Sequence, residues 1–320
     1  MPKMQSASRV TVVLGTGGTI AGVAKSADEG GGYRAAQLGV EQLVEAVPAL
    51  RAMPLECEQV AQVDSKDMDF GTWQRLVRRV AHHLAREDVQ GIVVTHGTDT
   101  LEETAYLLQR VFSPDKPVVL TAAMRPATAL LADGPQNLLD AVTVSREQGA
   151  RGVTVTMAGS VWSALGVRKA HTYRLGGFDA GGIGPVAVVE EGRVRRLRDW
   201  PGGRALGAQR VERAPEDWPR VEIVFNHVNA DGRIVRELQT HGVDGIVVAG
   251  TGNATVSDAL QRALDEVQAA GVRVERWTRC AAGTRVASRA DSTPPLHPDS
   301  GDELTAVQVR VELLLELLAR

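Results

Sequence analysis

The sequence predicts an α/β protein of two domains, a larger one followed by a smaller one. Three observations carry this. Short apolar runs recur, each bounded by glycine or polar residues, as buried strands require. Several of these runs give way to helical spacing, the strand-then-helix alternation of α/β layers. The stretch Asp199 to Pro219 holds three prolines and four acidic residues among glycines, which reads as a linker. Domain boundaries of 1–200, 201–219 for the linker and 220–320 follow, and 320 residues suffice for two ordinary cores.

Arg9 to Leu14 is the first strand and runs into Gly15-Thr16-Gly17-Gly18-Thr19-Ile20-Ala21-Gly22. A dinucleotide fingerprint beginning at Gly15 needs glycine at position 20, which is Ile20. A phosphate-binding loop beginning at Gly17 needs lysine at position 23, which is Val23. Both nucleotide readings fail, and with them a dehydrogenase. What remains is a glycine turn holding threonine hydroxyls, whose backbone N–H groups are candidate oxyanion donors. The segment Ser26 to Tyr33 is glycine-rich and suits a lid. Val40, Leu43, Val44 and Val47 mark a helix that stops at Pro48. Glu58 to Val63 is a strand, followed by the polar residues Asp64-Ser65-Lys66-Asp67.

Trp73, Leu76, Val77, Val80 and Leu84 form a helix face. His82 and His83 fall on its far side, are expected to be solvated, and lack partners for a metal site. Ile92 to Val94 is a buried strand. From Leu101 the spacing Leu101, Ala105, Leu108 is helical. Thr100 with Glu103 has the form of a capping box, and Glu102 and Glu103 suit the positive end of the helix dipole. Between strand and helix lie Thr95, His96, Thr98, Asp99 and Thr100, at the carboxyl end of a buried strand where open α/β sheets bind ligands.

Pro117 to Ala122 and Arg151 to Met157 are further strands, with a helix over Asn137 to Ser145. Ala158 to Phe178 has little periodicity, and most of its cations (Arg168, Lys169, His171, Arg174) are expected to face water. Pro185 to Arg198 reads as a hairpin turning at Glu191-Gly192. In the second domain Val221 to Phe225, Gly245 to Ala249 and Val272 to Trp277 are strands. Leu260, Leu264 and Val267 form a helix face, and Leu304 to Leu318 is apolar enough for a packed terminal helix at a subunit interface.

The net charge of -3 leaves no nucleic-acid footprint, and no apolar run reaches the length of a membrane span. MPKMQSASRV lacks the apolar core of a signal peptide. Cys57 and Cys280 make no disulfide framework, so a reduced, cytoplasmic setting is expected.

Together these residues resemble the bacterial-type L-asparaginases, the asparaginase/glutaminase family, over nearly the whole chain. TGGTIAG (Thr16 to Gly22) and THGTDTLEETAYLL (Thr95 to Leu108) are similar to the family's two signature motifs. DKPVVLTAAMRP (Asp115 to Pro126) and ADGPQNLLDAV (Ala132 to Val142) also resemble family segments. The resemblance implies a larger N-terminal α/β domain and a flavodoxin-like C-terminal α/β domain. It also implies a homotetramer built as a dimer of dimers, with active sites at subunit junctions. The reaction implied is hydrolysis of L-asparagine to L-aspartate and ammonia, without a cofactor or metal.

Amide hydrolysis needs a nucleophile, a base and oxyanion donors. By resemblance Thr19 is the nucleophile and Tyr33 assists it. Thr98, Asp99 and Lys169 match a second cluster, in which the lysine acts as base through Thr98 and Asp99 also binds the substrate's ammonium. Burial can bring a lysine toward the working pH. Ser65 matches the residue that binds the α-carboxylate. Lys66 stands where periplasmic-type relatives commonly have glutamine facing the substrate's amino group. Three readings of Lys66 stand: it repels that ammonium, it binds substrate by turning toward the α-carboxylate held by Ser65, or it is neutralised by Asp64, Asp67 or Asp291 of a partner subunit. Thr284 to Ser300, where the family often supplies a carboxylate from a neighbouring subunit, contains only Asp291 and Asp299 as acids. The alternatives are a same-fold amidase for L-glutamine or for an amide lacking the α-amino group, and a catalytically silent amino-acid-binding protein.

Overall fold

The computed structural model describes residues 9–24, 32–286 and 304–320. Most of the glycine-rich segment before Tyr33, and both Asp291 and Asp299, lie outside the described residues. The chain divides into two compact units, 1–179 with 184–208, and 180–183 with 209–320.

In the first unit the elements run β1 (Val10–Gly17), β2 (Val23–Ala24), β3 (Tyr33–Arg34), α1 (Val40–Glu45), β4 (Leu55–Val63), α2 (Phe70–Leu84), β5 (Val89–Thr95), α3 (Leu101–Phe112) and β6 (Val118–Thr121). Then come α4 (Gly134–Ser145), β7 (Val153–Met157), β8 (Ser160–Ser163), β9 (Arg168–Lys169), β10 (Phe178–Asp179), β11 (Ala187–Glu190) and β12 (Arg193–Arg196). Eight strands form one sheet in the order β4-β1-β5-β6-β7-β8-β11-β12. From β4 to β7 all neighbours are parallel, and from β7 to β12 they are antiparallel.

The parallel strands are apolar because helices cover them on both faces. Val12 to Leu14, Ile92 to Val94 and Val118 to Leu120 are fully buried. After β1 the chain moves to β4 on one side, and after β5 it moves to β6 on the other. The carboxyl ends of the adjacent strands β1 and β5 therefore flank a topological switch point, the position at which open α/β sheets bind ligands.

Three local expectations change. Thr100 makes no side-chain cap on α3. Its hydroxyl donates instead to the Ser65 carbonyl at 2.8 Å, a partner from outside the helix. His83 is not solvated: it is buried, and its Nε2 pairs with Glu58 Oε2 at 2.8 Å. Burial pushes the Glu58 carboxyl up, but hydrogen bonds from Arg79 and His83 outweigh it and hold the group below its usual range. Arg168 is buried rather than facing water, with Nε 3.4 Å from Asp179 Oδ1. The expected hairpin forms from β11 and β12, and Glu191 and Gly192 at its turn both take positive φ (48° and 70°). Residues 202–207 hydrogen-bond to the end of α3, through Gln109 Nε2 to Gly202 O and Leu206 N to Arg110 O.

The second unit holds β13 (Val221–Phe225), α5 (Arg233–Thr240), β14 (Gly245–Gly250), α6 (Asp258–Ala269), β15 (Arg273–Thr278) and α7 (Ala306–Leu317). Its three strands are parallel in the order β13-β14-β15. Ile246 and Val248 pack with Val235, Leu260 and Leu264 from α5 and α6. The opposite face receives α7, where a Cβ at Gly245 would lie 2.9 Å from Leu313. Val311, Leu313, Leu314 and Leu315 of α7 are fully buried, so this apolar helix is no argument for an interface with another subunit. No helix among the described residues is long and apolar enough to cross a membrane.

Candidate active site

Strand β1 ends in two glycines with positive φ, Gly17 at 107° and Gly18 at 82°. L side chains rarely adopt these values, so only glycine allows the chain to leave the strand this sharply. A 3-10 turn, Thr19–Ala21, follows and presents the Thr19 hydroxyl at the strand end. Thr19 is nearly buried, and its Oγ1 lies 2.7 Å from the Tyr33 hydroxyl. Tyr33 reaches it from the β2–β3 ladder, in which Ala24 pairs with Tyr33. Gly22 leaves room for the ring: a Cβ there would sit 2.9 Å from Tyr33 Cδ2. Gly18 N–H already donates to Val63 O at 2.9 Å, which removes it from the expected set of oxyanion donors.

Strand β5 ends beside it. Thr16 Oγ1 donates to Thr95 O at 2.9 Å and ties the two strand ends together. His96 is fully buried, and its Nδ1 lies 2.8 Å from Gly97 O. A carbonyl only accepts, so Nδ1 carries the proton and Nε2 accepts from Thr104 Oγ1 at 3.0 Å. Thr104 in turn receives Trp73 Nε1–H at 2.9 Å. This chain orients the carbonyl immediately before Thr98. Burial pushes the imidazole down to about 4, against the opposing pull of the Gly97 carbonyl, so His96 is neutral at ordinary pH.

Thr98 is buried, and Lys169 Nζ donates to its Oγ1 at 2.9 Å and to Asp99 Oδ1 at 2.6 Å. Lys169 comes from β9, which pairs with β10 in a two-residue antiparallel ladder. The backbone N–H of Lys169 donates to Glu102 Oε2 at 3.1 Å. Glu102 had only a dipole role in the sequence reading, and no local pattern reveals its tertiary partner. Desolvation pushes its carboxyl up to about 7, partly offset by that N–H.

Ser65 opens a 3-10 turn after β4 and is almost fully buried. Its Oγ accepts Asp99 N–H at 3.1 Å, which places it against the second threonine cluster. Lys66 stands apart. Its side chain is 60% exposed, and its Nζ lies 2.5 Å from Asp67 and 3.3 Å from Asp64. The hydrogen bond Lys66 donates to Asp67, then the one it donates to Asp64, raises the lysine's pKa. Thr19 with Tyr33, and Thr98 with Asp99, Lys169 and Ser65, thus form two hydrogen-bonded groups at neighbouring strand ends. Among the described residues no group of histidine, cysteine or acidic side chains is set to hold a metal.

Comparison with known proteins agrees with this architecture. The family model for the N-terminal domain of asparaginase matches residues 10–201, and that for the glutaminase/asparaginase C-terminal domain matches residues 220–319. A glutaminase-asparaginase from Pseudomonas fluorescens biotype A is 38% identical over 283 residues, 88% of this chain and 78% of that protein. L-asparaginase 2 of Escherichia coli is 36% identical, over 85% of this chain and 78% of its own length. The crystal structure of a probable cytoplasmic L-asparaginase from Campylobacter jejuni superposes with a TM-score of 0.88 at 34% identity, covering 97% of this chain and 95% of that one. The strand order, the paired threonine loops and these likenesses place the chain in the asparaginase/glutaminase family, as an L-asparaginase-like hydrolase acting on amides.

Proposed function

We propose that this chain hydrolyses L-asparagine to L-aspartate and ammonia, with Thr19 as nucleophile. One observation carries the reading: two threonine hydroxyls stand at the carboxyl ends of adjacent parallel strands, one bonded to Tyr33 and the other to Lys169. An unaided threonine hydroxyl is a weak nucleophile and needs its proton withdrawn. Tyr33 is in hydrogen-bond reach of that proton. In its unprotonated form Lys169 draws a proton through Thr98, and Asp99 steadies the lysine. Thr19 Oγ1 attacks the side-chain amide carbon, ammonia leaves with the transferred proton, and water cleaves the resulting ester. Ser65 binds the substrate's α-carboxylate and Asp99 its ammonium.

The working form is a homotetramer, as the family resemblance implies, and the setting is cytoplasmic. The free Cys57 and Cys280 support that setting, as does the likeness to the Campylobacter protein. Other relatives differ, one being a probable periplasmic L-asparaginase. Light scattering at micromolar concentration and cell fractionation test these two points.

The deciding experiment measures ammonia release from L-asparagine, D-asparagine, L-glutamine and succinamic acid. L-asparagine is expected to be fastest. Preference for L-glutamine or for succinamic acid would establish a same-fold amidase of different substrate. Binding of amino acids with no ammonia from any of the four would mean a silent binding protein.

A further inference from the structure

Lys169 is held at both ends by one segment. Thr98 and Asp99, just before α3, take its Nζ, and Glu102 in the first turn of α3 takes its backbone N–H. We propose that Glu102 is a positioning residue that clamps the backbone of Lys169, so that a single helix start sets both the root and the tip of this lysine. The proposal rests on the catalytic reading of Lys169 given above.

The clamp answers a physical need. Lysine has a long flexible stem, and its tip is only as well placed as its root. Here the root lies in a strand of two residues, paired to β10 by Phe178↔Lys169 and Asp179↔Arg168, with the N–H groups of Ala170 and His171 donating to Gly177 O beyond it. A two-stranded ladder this short is a weak anchor. Glu102 supplies a bond from outside the hairpin, and it does so from a rigid helix whose preceding loop already carries Thr98 and Asp99. The clamp keeps Nζ within reach of Thr98 Oγ1.

The clamp also responds to pH. The charged groups facing Glu102 are Glu103 on its own helix and Arg168 and Asp179 on the β9–β10 hairpin, where those two are themselves paired. Burial dominates and sets the carboxyl near 7, with Glu103 and Asp179 pushing it up and Arg168 pulling it down. A charged carboxylate is the stronger acceptor for an N–H. The grip on Lys169 therefore tightens as pH rises through 7. A merely structural glutamate at a helix start would affect stability through the dipole and leave the pH profile of turnover unmoved.

The test measures ammonia release from L-asparagine by the full-length enzyme across pH 5.5 to 9, with Glu102→Leu and Glu102→Gln. Glu102→Leu keeps volume but removes the acceptor, and is expected to lower kcat about tenfold or more with KM changed less than about threefold. Glu102→Gln keeps an acceptor oxygen and is expected to restore most of kcat. It should also lose the rise in kcat around pH 7 that is expected of the unaltered enzyme. A Glu102→Leu enzyme with normal kcat, or identical pH profiles for the unaltered and Gln forms, would overturn the clamp. If Glu102→Leu fails to fold, the Gln profile decides alone. Lys169→Met separates this from the larger reading. Loss of turnover in Lys169→Met with normal kcat and pH profile in both Glu102 variants overturns the clamp only. Turnover retained in Lys169→Met overturns the catalytic reading and the clamp with it.

Discussion

Gly18 and Gly97 meet backbone to backbone: a Cβ on Gly18 would lie 2.3 Å from Gly97 Cα. This approach brings the loop of Thr19 against the loop of Thr98, and a Cβ on Gly97 would in turn strike Ser65 Oγ at 2.4 Å. Gly18→Ala adds a clash against backbone to a φ of 82°, so a loss of roughly 3 kcal/mol or more is expected. Gly97→Ala would also meet Ser65 Cβ at 2.7 Å and Gly18 Cα at 3.1 Å, contacts that no rotamer change relieves, so it too should lose stability and displace Thr98. Urea unfolding and ammonia release on both variants check this. Unchanged stability in Gly18→Ala would contradict the close approach.

Thr19→Ala and Thr98→Val each remove one hydroxyl from a buried or nearly buried site without altering backbone conformation. Each is expected to fold normally and to lose roughly a thousandfold or more in turnover. Tyr33→Phe should lose less, about ten- to a hundredfold, since it removes an aid to proton transfer and spares the nucleophile. Circular dichroism and ammonia release measure both properties. Near-normal turnover by a folded variant would remove that residue from the chemistry.

His96 makes the fold sensitive to acid. Its folded-state pKa, about 4, lies below the 6.5 of an ordinary histidine. Between these values the unfolded chain binds the proton and the folded chain does not. Stability from this site is complete above pH 6.5 and declines as pH falls toward 4, by about 3 kcal/mol in all. His96→Gln cannot titrate, and its unfolding free energy should fall less between pH 7 and pH 4.5 than that of the unaltered protein. Equal acid slopes would show that His96 is not the group responsible.

Lys66 is ion-paired with Asp64 and Asp67 and points largely into water. Its charge is therefore answered locally, and the structure favours neutralisation over repulsion of a substrate ammonium. Lys66→Gln is expected to leave the ratio of kcat/KM for L-asparagine over succinamic acid within about twofold, since exposed pairs contribute little. A selective fall in KM for L-asparagine would restore the repulsion reading.

Much of the framework was legible because strands buried on both faces must be continuously apolar. Val12 to Leu14, Ile92 to Val94 and Gly245 to Ala249 announce themselves in this way. The glycine turn at Gly17-Gly18 was legible too, since few other residues leave a strand so sharply. Lys169 was different. It sits in a stretch without periodicity, and only the resemblance to a family singled it out. His83 and Arg168 were misplaced because helical spacing and charge are local signals, whereas their partners Glu58 and Asp179 are 25 and 11 positions away.

By itself the sequence determined the α/β class, the succession of strands and the two threonine-bearing turns, all of which follow from periodicity and turn chemistry within a few residues. Only the tertiary structure decided that β1 and β5 are neighbours, and so that Thr19 and Thr98 belong to adjacent loops. It also decided that the first turn of α3 faces Lys169, and that Lys66 turns to Asp64 and Asp67. The physical reason is that hydrogen bonds and desolvation act between atoms a few ångströms apart, and chain separation carries no record of that distance.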